Sequence, residues 1–340
     1  MSNSDILISL IKIVVVLGIM LTAVAYIVLL ERRLAAAIQN RIGPNRVGWQ
    51  GLLQPLADVL KLVLKEDIVP KSANKFIHDL APVISITVAL TTFAVVPFGD
   101  HITLFGQEIK LQIASVNVGV LYILALTSLG VYGVTLSGWA SNNKYSLLGG
   151  LRSAAQMISY ELAMGLSIIG VVMIAGSLEL GKIVQAQAGW KWNVFLQPIG
   201  FITFVVAAFA ETNRLPFDLP EAEQELVAGY HTEYSGLKFG LFYLSEYANM
   251  LTSCAIITTL FLGGWQFPLL DVLGLSDFWL SLLQVGAFCL KVGVVILFFI
   301  VIRWTIPRFR YDQLMNLGWK VMLPLTIANL LATGLVILLL

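Results

Sequence analysis

Long apolar runs separated by short polar stretches set the pattern of this chain. A helix that crosses a bilayer needs about 20 mainly apolar residues. Eight segments approach or meet that length, at 6–30, 80–98, 114–137, 154–178, 197–210, 239–264, 281–306 and 323–340. The fifth is short and is expected to continue past Glu211, while Pro97 is a natural end for the second. The first run is longer than the core of a signal peptide and no small-residue cleavage pattern follows it, so it reads as a first span. The pattern predicts an all-α integral membrane protein of about eight transmembrane helices, with residues 1–340 forming a single polytopic domain.

Composition agrees with this reading. The chain is 58% hydrophobic and 12% charged, with a mean hydropathy of +0.86, whereas soluble domains carry roughly 25% charged residues. A net charge of +1 gives no basic or acidic bulk that would point to nucleic acid. Two cysteines, Cys254 and Cys289, are too few for an iron–sulfur cluster or a disulfide framework. Lysine and arginine set the orientation. Sixteen of the 21 fall in the polar stretches 31–78, 138–153, 211–238 and 303–322, against three (Lys110, Lys182 and Lys191) on the other face. By the positive-inside rule the large loops face the cytoplasm and both termini lie on the opposite side of the cell inner membrane.

The first long polar stretch opens with Arg32 and Arg33, which could simply anchor a span to lipid headgroups. After the Gly43-Pro44 break a helical pattern resumes from Trp49 to Lys65. Leu53, Leu56, Leu60, Val63 and Leu64 form its apolar stripe, and Gln50, Gln54, Asp58, Lys61 and Lys65 fall opposite. Such a helix lies in the membrane interface or lines a site.

The second stretch, 211–238, holds six of the 20 acids: Glu211, Asp218, Glu221, Glu223, Glu225 and Glu233. Pro220 is suited to start a short helix, whose dipole accounts for one or two of them. It does not account for Glu221 and Glu225 at i, i+4 with Glu223 between them. Like charges at that spacing repel by roughly 2–3 kcal/mol at an effective dielectric near 20. Such groups titrate as a set, and beside lipid they point to proton handling. Inside the spans, Glu161 and Glu246 each lie seven residues from the start of their run, roughly 10 Å deep at about 1.5 Å per residue. Their matched depth predicts a polar pocket beneath the acidic loop. Lys291 lies nearer mid-membrane and is a candidate counter-charge or relay.

Four stretches resemble a known family. They are Glu31-Arg-Arg with Gln39-Asn-Arg-Ile-Gly-Pro44; Gly51-Leu-Leu-Gln-Pro-Leu-Ala-Asp58 with Lys61 and Lys65-Glu66; Ser141-Asn-Asn-Lys-Tyr-Ser-Leu-Leu-Gly-Gly-Leu-Arg152; and Ala210-Glu211 through Glu233-Tyr-Ser235. Together they are similar to the H subunits of the type-1 NADH-quinone oxidoreductases (respiratory complex I), the family of the mitochondrial NADH dehydrogenase subunit one. The run Pro216-Phe-Asp-Leu-Pro-Glu-Ala-Glu223 is the most specific.

The resemblance implies a membrane component forming much of a quinone chamber, shared with peripheral-arm subunits and joined to membrane-arm subunits. FMN and iron–sulfur clusters would reside in those partners, and quinone would be the substrate. This chain would bind no cofactor and no metal. By the same resemblance, Glu211, Asp218, Glu221, Glu223, Glu225 and Glu233 couple quinone chemistry to a proton path through Glu161 and Glu246. Arg32, Arg33, Arg41, Arg46 and Asp58 would line the chamber, with Phe217 and Tyr230 as contacts. A homologous component of a ferredoxin- or F420-dependent quinone reductase, or of a membrane-bound hydrogenase, is the alternative. A free-standing ion transporter would commonly show internal repeats, and none is visible.

Overall fold

The computed structural model describes residues 3–104, 107–219, 226–268 and 276–339. Its helices are α1 (Asn3–Ile38), α2 (Gln54–Leu64), α3 (Lys75–Thr92), α4 (Gly119–Ala140), α5 (Lys144–Ala175), α6 (Leu180–Ala186), α7 (Asn193–Leu196), α8 (Pro198–Glu211), α9 (Gly236–Phe261), α10 (Asp277–Thr305), α11 (Tyr311–Asn316) and α12 (Leu323–Leu339). Among the described residues, six helical segments are long and apolar enough to cross a membrane: Ile6–Ile38, Lys75–Val95, Gly119–Ala140, Lys144–Ala175, Asp277–Thr305 and Tyr311–Leu339. They coincide with six of the eight expected spans, so the chain is a multi-pass membrane protein.

The other two expected spans are helices of a different character. Helix α9 is 26 residues long and lies in the middle of the bundle, packed against α1, α3, α8 and α10. Most of its residues are buried, among them Ser245, Thr252, Thr258 and Thr259. Because protein rather than lipid surrounds it, hydroxyls are tolerated and return to its own carbonyls, as Thr258 does to Cys254 O at 2.9 Å. Helix α8 has 14 residues and stops at Glu211 instead of continuing. The Thr212 hydroxyl donates back to Ala208 O at 3.0 Å, Asn213 takes a positive φ of 51°, and the chain turns away.

Two polar stretches are more helical than their composition indicated. Helix α1 runs on through Arg32, Arg33 and three alanines to Ile38, so those arginines sit on a helix rather than in a loop. Helices α4 and α5 are separated by only 141–143, where Asn143 Oδ1 accepts from Tyr145 N at 3.0 Å and starts α5. The expected amphipathic segment forms a short turn, Trp49–Gly51, followed by α2. One element lies outside the all-α expectation. A two-stranded antiparallel hairpin, β1 (His101–Leu104) and β2 (Gln107–Lys110), sits at the end of the bundle remote from α2 and is tied to α10 by Ser281 Oγ donating to His101 O at 2.6 Å.

Close helix packing near the polar end rests on glycine. A Cβ on Gly138 would meet Ser146 O at 2.5 Å, and one on Gly149 would meet Gly229 Cα at 2.7 Å and Tyr230 N at 2.8 Å. All are backbone atoms, which cannot turn aside. Gly149→Ala is therefore expected to push the 229–231 turn off α5 at about 1–3 kcal/mol. A lower melting temperature and poorer recovery of the assembled protein would report it, and unchanged values would show that the turn can shift freely.

Candidate functional site

At the polar end of the bundle, four charged side chains from distant parts of the chain meet in a buried cluster. Arg214 Nη1 lies 2.7 Å from Glu31 Oε2, and Arg214 Nε lies 2.9 Å from Glu246 Oε1. Arg303 pairs with the other oxygen of Glu31. Tyr247 donates to Glu31 Oε2 at 2.9 Å, and its ring lies 3.9 Å beneath the Arg214 guanidinium. The charges balance, as burial at this depth demands. Burial works against the Arg214 charge, but the Glu246 carboxylate, Tyr247 and the Glu31 carboxylate outweigh it and hold its pKa well above the usual arginine value.

Two adjoining cavities open beside this cluster. One, of about 350 Å³, lies between α1, α2 and α9 and is lined mainly by Val24, Val28, Val59, Leu62, Gly240 and Leu244, with Arg32 and Asp58 at its rim. The second, of about 380 Å³, is lined by Glu31, Arg41, Pro44, Arg303 and Trp304, and shares Arg32, Tyr243 and Tyr247 with the first. An apolar compartment leading to a charged one suits a ligand with a long apolar tail and a polar head. Arg32 and Asp58 form an ion pair at 2.6 Å where α1 faces α2.

The residues expected at the chamber are thus divided. Arg32, Arg41 and Asp58 line the two cavities just described. Arg33 instead donates to Gln50 O, holding the turn before α2. Arg46 lines neither cavity. Phe217 is buried 5.5 Å from Phe309 and 5.7 Å from Tyr160, away from both cavities, and Tyr230 lies among the carboxylates described next.

Glu211 and Glu246 face a small cavity of about 40 Å³, together with Ser85, Asn213, Tyr230 and Asn249. Glu211 also borders a cavity of about 20 Å³ beside Thr127, Asn249 and Thr252. Room for one water is about 10–15 Å³, so both admit water. Ser128 donates to Glu161, and Glu161 in turn is near enough to act electrostatically on Glu211. Glu211, Glu246, Arg214 and Glu31 therefore form a row, with Glu161 beside Glu211, that ends at the second cavity. Of the two acids expected at a shared polar pocket, Glu246 lines the small cavity with Glu211, whereas Glu161 lines neither small cavity.

The remaining acids are accounted for as follows. Asp218 pairs with Arg308 at 3.1 Å, and Glu233 accepts from Asn143 Nδ2 at 2.6 Å. Glu221, Glu223 and Glu225 lie outside the described residues. Lys291 is no counter-charge to a carboxylate. Its ammonium donates to Leu262 O at 2.7 Å, Gly264 O at 3.1 Å and Gln266 O at 2.6 Å, and stands 4.4 Å over the Trp192 ring, closing the C-terminal end of α9. Among the described residues, no group of three His, Cys, Asp or Glu side chains is placed to hold a metal.

Arg214, Arg303, Glu31 and Tyr247 do not stand out as site residues in the sequence. Glu31 is 183 residues from Arg214 and 272 from Arg303. The available signal was Arg303 at the end of an apolar span and Arg214 as a lone cation among acids.

His231, in the turn beside Tyr230, has its pKa pushed down to about 4 by burial. That folded value is below the unfolded one, near 6.5. The neutral form is thus favoured by folding, and stability is lost as the pH falls from 6.5 towards 4. At pH 5 this amounts to about 2 kcal/mol. His231→Gln is expected to narrow the gap in melting temperature between pH 7 and pH 5, and an unaltered gap would count against it.

Similarity to known proteins bears on this arrangement. A family model described as NADH dehydrogenase matches residues 11–334. The H subunit of the NADH-quinone oxidoreductase of Salinibacter ruber is 54% identical over 334 residues, 95% of this chain and 94% of the relative. The second such H subunit of Geobacter sulfurreducens is 54% identical over 323 residues, 95% and 94% of the two chains. The first of Cytophaga hutchinsonii is 51% identical over 324 residues, 95% of each. With identity at this level over nearly its whole length, the chain belongs to the family of NADH-quinone oxidoreductase H subunits, membrane components of respiratory complex I.

Proposed function

We propose that the two-part chamber takes a long-tailed quinone and that the carboxylate row passes protons between the quinone head and the interior of the membrane. The supporting observation is the junction of the two cavities. Val24, Val28, Val59 and Leu62 offer the tail an apolar wall, and past Arg32, Tyr243 and Tyr247 the lining turns charged, with Glu31 at the head of the row.

Reduction of a quinone takes up electrons and protons. Electrons come from redox centres in peripheral-arm partners, and this chain supplies the membrane wall and the proton-carrying groups. Glu31 shares a proton-bearing neighbour, Tyr247, and touches Arg214, which also holds Glu246. A proton gained or lost near Glu31 alters the charge balance around Arg214 and so the protonation of Glu246 and, through water in the small cavity, of Glu211 and Glu161. That is how quinone chemistry is tied to proton translocation. Asp218 and Glu233 are held by Arg308 and Asn143, and together with Glu221, Glu223 and Glu225 they couple the quinone to this row. The lysine and arginine distribution supports a chamber at the cytoplasmic side of the inner membrane, with peripheral-arm subunits docking on 31–78 and 211–238.

Val28→Trp fills the apolar half without touching the charged cluster. It is expected to raise the KM for a long-tailed quinone about tenfold, equivalent to about 1.4 kcal/mol of lost binding, in the purified complex. NADH oxidation by ferricyanide, which bypasses the quinone, serves as the control. An unchanged KM would remove this cavity as the quinone site.

A further inference from the structure

Helix α8 stops at Glu211, so the carbonyls of its last turn find no partner further along the helix. The Thr212 hydroxyl takes one of them, Ala208 O. Another, Ala210 O, accepts from the side-chain nitrogen of Gln156, on α5, at 2.7 Å. The same nitrogen lies 2.8 Å from Phe217 O and 3.3 Å from Asn213 Oδ1. A primary amide carries two hydrogens, and the two shorter contacts use both. Gln156 thus holds, on one nitrogen, the residue before Glu211 and the residue before Asp218.

The chain between those two carbonyls carries Arg214, which reaches Glu31 and Glu246. Its backbone bonds, from Asn213 N to Ala210 O and from Phe217 N to Arg214 O, are internal. They shape the turn but do not place it. Ser153 Oγ touches the Asn213 side chain at 3.3 Å, and Phe309 N donates to Pro216 O at 3.1 Å. Neither spans the turn. Gln156 does, and it sits five residues before Glu161 on the same helix.

The surroundings of this side chain demand an amide. Its tip meets two carbonyls and Asn213 Oδ1, all acceptors, so the nitrogen must face them. A leucine would leave both carbonyls without a donor, and an ionised glutamate would set oxygen against oxygen. The amide oxygen is meanwhile buried without a partner, a cost that packing alone would avoid. Gln156, Ala210 and Phe217 are all buried inside this chain, so subunits docking on the loop neither make nor replace these bonds.

We propose that Gln156 is a clamp that fixes the Arg214 turn, and with it Glu211, against the helix that carries Glu161. It is a positioning residue. It binds no quinone and carries no proton, and it keeps the members of the row at their working distances. This rests on the reading of the row as the proton path, and the experiment separates the two.

The test uses the purified complex carrying Gln156→Met, which fills similar space and donates nothing. The kcat for NADH-driven reduction of a long-tailed quinone should fall about fivefold, with KM held within about twofold because the apolar cavity is untouched. The pH at which that rate is half-maximal should move by roughly half a unit, since the spacing of charges around Glu211 and Glu246 changes. Loss of packing alone would lower recovery of the complex and leave the pH profile as it was. NADH oxidation by ferricyanide should hold steady. Ser153→Ala removes a hydroxyl from the same face of α5 but leaves the clamp, so it should keep the wild-type kcat and profile.

Gln156→Asn carries the amide on a shorter stem that reaches one carbonyl at most. Its kcat should fall between those of the wild type and Gln156→Met, and it decides the matter if Gln156→Met does not assemble. A wild-type kcat and pH profile in whichever of the two assembles overturns the clamp, as does a fall in Ser153→Ala as large as in Gln156→Met. If Glu211→Gln lowers the coupled rate while Gln156→Met runs at full rate, only the clamp falls. If Glu211→Gln has no effect, the row itself is misread.

Discussion

Arg214→Met is expected to cost the assembled complex nearly all of its quinone reductase activity and much of its stability. Arg214 is 3% exposed and carries the only positive charge in contact with both Glu31 and Glu246 among the described residues. Methionine fills similar space and leaves two carboxylates facing each other with Arg303 alone to balance them. Breaking a buried ion network by removing one partner costs about 3–5 kcal/mol, because the charges left behind are neither solvated nor paired. Arg214→Lys keeps the charge but not the fork that reaches both acids, and an intermediate loss is expected. Recovery of intact complex on a native gel, with quinone-linked NADH oxidation in the same preparation, measures both effects. Adding Glu246→Gln to Arg214→Met removes the stranded charge and leaves Glu31 paired with Arg303, so assembly should return while quinone reduction should not. Full activity in Arg214→Met alone would show that the network is dispensable.

The second large effect is expected at Glu211. It lies between Glu161 and Glu246 and borders both small cavities. Glu211→Gln keeps the shape and the hydrogen-bonding capacity but cannot carry a proton. NADH-driven acidification of vesicles and the coupled quinone rate should fall at least tenfold, which corresponds to about 1.4 kcal/mol at the rate-limiting barrier. NADH oxidation by ferricyanide should hold steady, and Glu211→Asp should restore part of the loss. Glu161→Gln is expected to follow the same pattern. Retention of both coupled activities would take the variant residue out of the proton path. An equal fall in the ferricyanide reaction would point to failed assembly instead.

These two sets of variants probe different properties of one row. Arg214 holds the arrangement together, while Glu211 carries charge through it. A fall in stability without loss of coupling, or the reverse, would separate the scaffold from the path.

Much of this protein was legible in the order of its residues. Spans are set by lipid, which tolerates no unpaired backbone and few charges, so the apolar runs at 6–30, 80–98, 114–137, 154–178, 281–306 and 323–340 announce themselves. The i, i+4 stripe of α2 did the same for the interfacial helix, and Glu161 and Glu246 were conspicuous because acids in apolar runs are costly. The four motif stretches carried the family. What the order of residues left open depends on which helices face one another. Helix α9 reads as one more span from its residues alone, and only folding shows that its solvent is protein. Lys291 could be matched to a carboxylate on depth alone, whereas folding brings it to the carbonyls that end α9. Glu31, Arg214 and Arg303 are separated by most of the chain, and no local periodicity relates residues at that distance. Their pairing is fixed by the packing of α1, α9 and α10 against one another. The sequence thus determined where the chain crosses the membrane and which groups could carry charge. The tertiary structure alone decided which of those charges neutralise each other and which stand beside a cavity, because both depend on distances across helices rather than along one.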